Sequence, residues 1–233
     1  MLMRGVMSNK AKPLSKKAQG EETRATLIQT GSRLFAINGY HGVSMRTLAA
    51  EAGVNLATVS YHFGGKAGLY EAILRQLIAV RDEFFPSDDA VRERAAKCPD
   101  SVQAKQGLVR WFVNALVHGI LGGGEHFWSL YLITRELAQP SELYPMLEKH
   151  FFDPSFNALH ALVSTVLPEE ADHEERVICV HGLIGMILKF LEGQTIILQR
   201  LGWNNYQGRG VEKVAQVLSK RAQGFLGLPM EAI

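Results

Sequence analysis

Cysteine is nearly absent. The 233 residues hold two, Cys98 and Cys179. Two thiols make neither a secreted disulfide framework nor a zinc site, so a reducing cytoplasm is the expected setting. Long apolar runs are also missing. The strongest stretch, Val177 to Leu198, is broken by His181, Lys189 and Glu192 and reads as a buried helix, not a membrane span. No apolar core follows the basic residues near the start, so no signal peptide is expected. Prolines number eight and alternating β-branched residues are few, which argues against sheets. Phosphate-binding loops, dinucleotide fingerprints and Gly-x-Ser-x-Gly are absent. Glu170 and His173 have the Glu-x-x-His spacing of a di-iron bundle, but the second motif that such a site needs is missing. His118, His126, His150, His160 and His181 share no metal spacing. Neither a metal nor a cofactor is expected.

Acidic residues are scarce at one end only. Residues 1–80 carry ten Lys or Arg against four Asp or Glu, whereas residues 81–233 carry fifteen against nineteen. A basic first third beside an acidic remainder suits a nucleic-acid reader joined to something else. Residues 1–20 contain no acid at all. They read as a basic arm, disordered when free, that either follows a phosphate backbone or serves as a solubilising tail.

The stretch Ser44 to Phe63, SMRTLAAEAGVNLATVSYHF, organises the rest. Ser44 is a good helix N-cap. Met45, Leu48, Ala49 and Ala52 then give one helix an apolar face. Gly53 tolerates positive φ and ends that helix, and Asn55 caps the next. With Val59 facing inward, Ala57, Thr58, Ser60 and Tyr61 face outward, and Leu56 and His62 lie on the flanks. Two short helices set in this way form a helix-turn-helix, whose second helix enters a DNA major groove. Arg46 suits a guanine edge or a phosphate. Leu56, Ala57, Thr58 and Ser60 suit base edges. Ser44, Thr47, Thr58, Tyr61, His62 and Lys66 complete the expected DNA-contacting set, mostly through phosphates.

The stretch AGVNLATVSYHFGGKAGLY, Ala52 to Tyr70, resembles the DNA-binding signature of TetR-type bacterial transcriptional repressors. Tyr61, His62, Phe63, Lys66 and Leu69 supply the aromatic, His-Phe, Lys and Leu positions of that signature. The resemblance spans residues 22–74. The chain departs from the common pattern at Ser60, where many members carry Tyr, and its Tyr61 comes one place later. The wording NLATVSYHFGGK resembles the CecR-like subgroup. The resemblance implies a DNA-binding head, a connecting helix, and a C-terminal domain that holds a ligand pocket.

Periodicity predicts an all-α chain: an N-terminal three-helix head with the helix-turn-helix, then a C-terminal helical bundle. The expected division is a basic arm over 1–20, a DNA-binding domain over 21–66 and a connecting helix over 67–86. A ligand-binding and dimerisation domain follows over 87–233. The first helix is expected from Glu21 to Asn38, a fourth from Lys66 to Phe84, and a linker or short exposed helix from Ser87 to Asp100. Further helices are expected from Gln103 to Ile120, Glu125 to Ala138, Ser141 to Leu167 with a break at Pro154, Asp172 to about Gly202, and Val211 to Phe225.

The aromatic residues Trp111, Phe112, Phe127, Trp128, Tyr131, Phe151, Phe152 and Phe156 read either as plain core or as an apolar ligand box; the pocket is expected at Trp111, Phe112, Phe127, Trp128 and Tyr131, with His118, Arg135 and His181 as polar anchors nearby. One recognition helix reads few base pairs, so a homodimer on palindromic double-stranded DNA is expected, with its seam at Val177 to Leu198 and Ser155 to Leu167 beside it. The reading is a cytoplasmic, ligand-responsive repressor with no membrane partner and no catalysis. A helical-bundle enzyme using the aromatic cavity and a ligand-free DNA-organising protein are the competing classes.

Overall fold

The structure, a computed structural model, describes residues 15–123 and 127–229. Every regular element among them is helical. The head consists of α1 (Lys16–Asn38), α2 (Met45–Glu51) and α3 (Leu56–Phe63). A hinge region follows, α4 (Lys66–Ala79) and the single turn α5 (Arg81–Phe84). The body holds α6 (Asp88–Ala96), α7 (Val102–Leu121), α8 (Phe127–Ala138), α9 (Tyr144–Leu147), α10 (Asp153–Val166), α11 (His173–Glu192), α12 (Gln194–Leu201) and α13 (Arg209–Phe225).

Local chemistry explains the head. Ser44 Oγ accepts from Thr47 N at 3.0 Å and starts α2. Asn55 Oδ1 accepts from Thr58 N at 2.8 Å and starts α3. Each bond satisfies an amide that a helix start otherwise leaves orphaned. Gly64, at φ 70°, ends α3 in the left-handed region where a side chain is strained. Leu27, Leu34 and Phe35 of α1 bury against Leu48, Val59, Leu69 and Ile73 and form the core of the head.

Several expectations need correction. Lys16 to Gly20 is not part of a disordered arm: it is the opening of α1, capped by Ser15, whose Oγ accepts from Ala18 N. Residues 1–14 lie outside the described residues. The connecting helix is not continuous to Phe84. Val80 leaves helical angles at φ −104° and ψ 14°, and α5 starts anew. Of the two forms allowed for the stretch after Pro86, it takes the short helix, α6, which packs along α10 through Val91. Before Pro154 the chain widens into a π-turn over Glu148–Phe152. Pro154 itself sits in the first turn of α10, where its missing amide costs nothing. The stretch expected as one long helix or two is two, α11 and α12, which meet at Gly193 with a bend of 77°. Among the described residues no single helix is long and apolar enough to cross a membrane.

In the body, α7 lies along α13 and α11, and α10 lies between α6 and α11. At the junction, α8 touches α1 and α4 of the head side and α11 of the body. Helix α7 also passes very close to α5. A Cβ on Gly119 would sit 2.7 Å from the Glu83 oxygen and from Phe84 Cα, both backbone atoms. Neither can swing aside. Gly119→Ala is therefore expected to lower unfolding stability by about 1–3 kcal/mol, as overpacking does. Gly185→Ala, whose Cβ meets nothing within 4 Å, should be neutral or better. Paired denaturant titrations check this.

Candidate functional site: nucleic-acid interface and adjoining cavity

The outer surface of the helix-turn-helix carries the residues expected to touch DNA. Ser44, Arg46, Thr47, Leu56, Ala57, Ser60 and Tyr61 are all exposed. Tyr61 is 85% exposed, an unusual position for a large ring in a folded head unless a partner covers it. His62 is half-buried, its ring edge-on to Tyr61 at 5.1 Å. Thr58 is half-buried, and its hydroxyl donates to Asn55 Oδ1 at 2.9 Å. It offers its methyl and lone pairs outward, not its proton. Ser44 and Thr47 share a hydroxyl–hydroxyl bond of 2.8 Å.

Lys66 departs from its expected place. Its Nζ donates to the Tyr40 and Val43 carbonyl oxygens at 3.0 Å each, and it lies 4.4 Å from the Tyr40 ring centroid. The ammonium ties the turn before α2 to the start of α4. Two of its three protons are thus committed to the protein. Sequence reasoning missed two other supports. Arg33 bridges to Glu51 at 2.6 Å and joins α1 to α2. Arg24 lies 5.1 Å from the Phe63 ring centroid and joins α1 to α3.

The eight residues expected to form one ligand box do not share a site. Phe112 is fully buried core. Trp111 is covered by Arg94, 4.2 Å from its ring centroid. Tyr131 donates to the Leu191 carbonyl at 2.8 Å, and Trp128 packs beside it at 6.1 Å between centroids. His118 bonds Glu212 of α13 through Nε2 at 3.0 Å and its own helix through Nδ1. The side chain of Phe127 lies outside what is described. Arg135 serves the head: its Nε donates to Ala36 O and its Nη2 to Ile37 O, both at 2.9 Å. Helix ends leave such carbonyls unpaired, and a cation is favoured there.

Of the eight, only His181 lines the apolar cavity among the described residues. That cavity, about 380 Å³, lies between α8, α10 and α11. Leu130, Ile133 and Leu137 form its α8 wall, Phe151, Phe152, Ser155 and Phe156 its α10 side, and Ile184 and Leu188 its α11 side. The His181 ring stacks on Phe156 at 5.0 Å. A larger cleft of about 760 Å³ between α1, α4 and α8 is lined by Glu21, Glu22, Arg24, Gln29, Arg75 and Gln76. Ala25, Ile28 and Ala72 line it as well, so it is an open groove of mixed charged and apolar surface.

Beside Arg135 stands a buried carboxylate. Glu136 is 2% exposed. Its Oε1 accepts from the Tyr70 hydroxyl of α4 at 2.6 Å, and its Oε2 accepts from Ser141 N and Oγ at 3.0 Å each. Burial, and then the bond to Glu136, push the Tyr70 phenol far above its usual range and keep it a proton donor. Phe35 and Tyr40 each stand 5.0 Å from the Tyr70 ring. By the 100° step between residues, Arg135 lies opposite the cavity wall of Leu130, Ile133 and Leu137, and Glu136 lies on the flank between the two, beside Ile133.

Comparison with known proteins fits this geometry. Residues 27–73 match the family model described as bacterial regulatory proteins, tetR family. Residues 106–226 match the C-terminal domain of the HTH-type transcriptional dual regulator CecR. The chain belongs to the CecR-type branch of the tetR family. It is a DNA-binding transcriptional regulator. It is 27% identical over 203 residues to the HTH-type transcriptional dual regulator CecR of Shigella flexneri, across 86% of this chain and 90% of that protein. Its fold is similar to AibR solved with isovaleryl coenzyme A and operator DNA, at TM-score 0.60 and 16% identity over 85% of this chain and 97% of that one. It is also similar to the TetR family regulator PfmR from Thermus thermophilus, at TM-score 0.56 and 16% identity over 94% and 100%.

For this tetR-family head, Arg46→Ala and Tyr61→Ala are expected to weaken operator binding at least about tenfold without changing thermal stability, since both side chains are free of structural duty. Lys66→Met should instead lower stability by about 1–3 kcal/mol, because two carbonyls lose a charged donor. Anisotropy titrations beside thermal melts separate the two outcomes. His118 gives a pH signature. The bond to Glu212 is the largest cause that raises its pKa above the ordinary 6.5. Stabilisation from such a raised pKa is complete below the unfolded value and fades as pH rises through the folded one. His118→Gln should flatten the fall in unfolding stability as pH rises above 6.5, a small change because both partners are partly in water.

Proposed function

We propose that this regulator is a homodimeric, cytoplasmic repressor on a palindromic operator, released when a small apolar ligand fills the cavity between α8, α10 and α11. Residues 21–66 read DNA, residues 67–86 connect, and residues 87–233 bind ligand and dimerise. The observation that carries the reading is the position of α8. One side of it walls the cavity through Leu130, Ile133 and Leu137. The opposite side holds the head through Arg135, and the flank between them through Glu136. A ligand that binds one arrangement of α8 more tightly shifts the population of the other. A coupling of about 1–3 kcal/mol is typical and sufficient. Helix α4 remains in the path, because Tyr70 is on it.

The dimer seam is assigned to α11 and α13. Ile178 on α11 is 67% exposed, and Val217 and Phe225 on α13 are each 42% exposed. The Phe225 ring covers Gly182 on α11, which makes one apolar surface of the two helices. Helix α10, the neighbour expected from sequence, is mostly buried against α6 and α11 and has less to offer.

Two measurements test the proposal. Phe156→Ala should keep operator affinity but raise the concentration of ligand needed for half-release at least about tenfold, as loss of a cavity wall implies. Trp128→Ala should leave that concentration within about twofold. The reverse result moves the ligand back to the aromatic cluster on α7 and α8. Ile178→Asp with Phe225→Asp should give a monomer by light scattering at micromolar concentration, with operator affinity lost.

A further inference from the structure

We infer that the effector is a neutral molecule carrying one hydrogen-bond donor, received by His181 Nε2, and that carboxylates and coenzyme A thioesters are excluded. The inference rests on the cavity's being the effector site and goes on to the chemistry of what fills it.

Charge comes first. Among the described residues the lining holds no Lys, Arg, Asp or Glu. An anion buried among Phe151, Phe152, Ile184 and Leu188 loses its hydration and gains no cation, which is strongly unfavourable. Arg135 is the basic residue on this helix, and its Nε and Nη2 bonds both run to α1, on the far side of α8. A phosphate-bearing ligand therefore has no partner here. The volume of about 380 Å³ lies near the lower end for small-molecule sites.

The polar groups set the second condition. Ser155 donates its proton to the Phe151 carbonyl at 2.7 Å. The His181 Nδ1 lies 2.9 Å from the Val177 carbonyl of its own helix, so Nδ1 carries the proton in the neutral ring. His181 is an exposed residue, so it serves the cavity from its solvent side, and Nε2 of its neutral ring is an acceptor without a partner among the described residues. Stacking on Phe156 fixes the ring plane. Tyr144 also lines the cavity, its ring 5.7 Å from that of Phe152. A phenol hydroxyl rotates to give or accept, so it does not discriminate, and one neutral donor does not replace a cation for a carboxylate. The fixed groups are thus acceptors, His181 Nε2 and Ser155 Oγ, and the ligand must bring the proton. A hydroxyl or an N–H on an aromatic or aliphatic frame meets both conditions.

Calorimetry on the full chain with matched probes tests this. Biphenyl-4-ol should bind. 4-Methoxybiphenyl, which keeps the frame and loses the donor, should bind about tenfold more weakly, the worth of one hydrogen bond. Biphenyl-4-carboxylate should be weaker again, and isovaleryl coenzyme A should give no heat. In His181→Phe the phenol and its ether should become equal, while His181→Gln, which keeps an acceptor, should restore part of the preference. Carboxylate or thioester binding as tight as that of the phenol overturns the inference. So does a preference for the phenol that survives in His181→Phe, or a phenol that gives no heat up to its solubility. Operator titrations on the same samples read the underlying proposal separately. A phenol that binds as described and leaves operator affinity unchanged refutes effector control by this cavity, but not its ligand class.

Discussion

Two neighbouring side chains, Arg135 and Glu136, hold the reading head on the body. Arg135 closes the C-terminal end of α1 by donating to two carbonyls. Glu136 closes the face of α4 by accepting the Tyr70 proton. A carboxylate 2% exposed is costly to bury, and three hydrogen bonds offset the cost only while their geometry holds. If the Tyr70 bond breaks without replacement, an unsatisfied buried charge remains. Such a contact has two states, made or broken, and few in between. That is the property a switch between a cavity and a DNA-reading head requires.

The reading surface depends on this orientation more than on its own chemistry. The outward residues of α3 are small or aromatic, and α2 adds Arg46. In the proposed homodimer each head contacts few base pairs, and specificity comes from two heads at a fixed separation. A small rotation of α1 and α4 together moves α3 as a unit, because Lys66, Arg33 and Arg24 brace the head internally. The head is rigid within itself and adjustable at its attachment to α8. The signal need only change its pose.

The head was legible in sequence because its determinants are local. Ser44, Gly53, Asn55 and Gly64 act on residues within one turn, and the period of Leu48, Val59 and Phe63 marks a buried face. The cavity was not legible. Periodicity marks Trp111, Phe112 and Trp128 as inward-facing, but burial is equally the signature of solid core, and Phe112 is solid core. Arg135 and Lys66 carried charges that invited a ligand or a phosphate. Their partners are backbone carbonyls 99 and 26 residues away in sequence, and no side-chain pattern announces a carbonyl. Phe151, Phe152 and Phe156 belong to the aromatic cluster that sequence marks, but nothing in sequence separates them from its core members, because the π-turn before Pro154 that places them is visible only as an interruption. Of the eight residues singled out for the pocket, His181 lines the cavity.

The most direct measurement takes the two contacts of α8 apart and asks whether ligand and operator still communicate. The ratio of operator affinities without and with a saturating cavity ligand is measured for the native chain, for Tyr70→Phe and for Tyr70→Phe combined with Arg135→Met. Calorimetric ligand affinity without DNA serves as the control. If α8 carries the signal, the ratio falls stepwise toward one while ligand affinity stays within about threefold, since neither residue lines the cavity. A ratio that stays at its native value in the double variant would contradict the account and place the coupling elsewhere in the body.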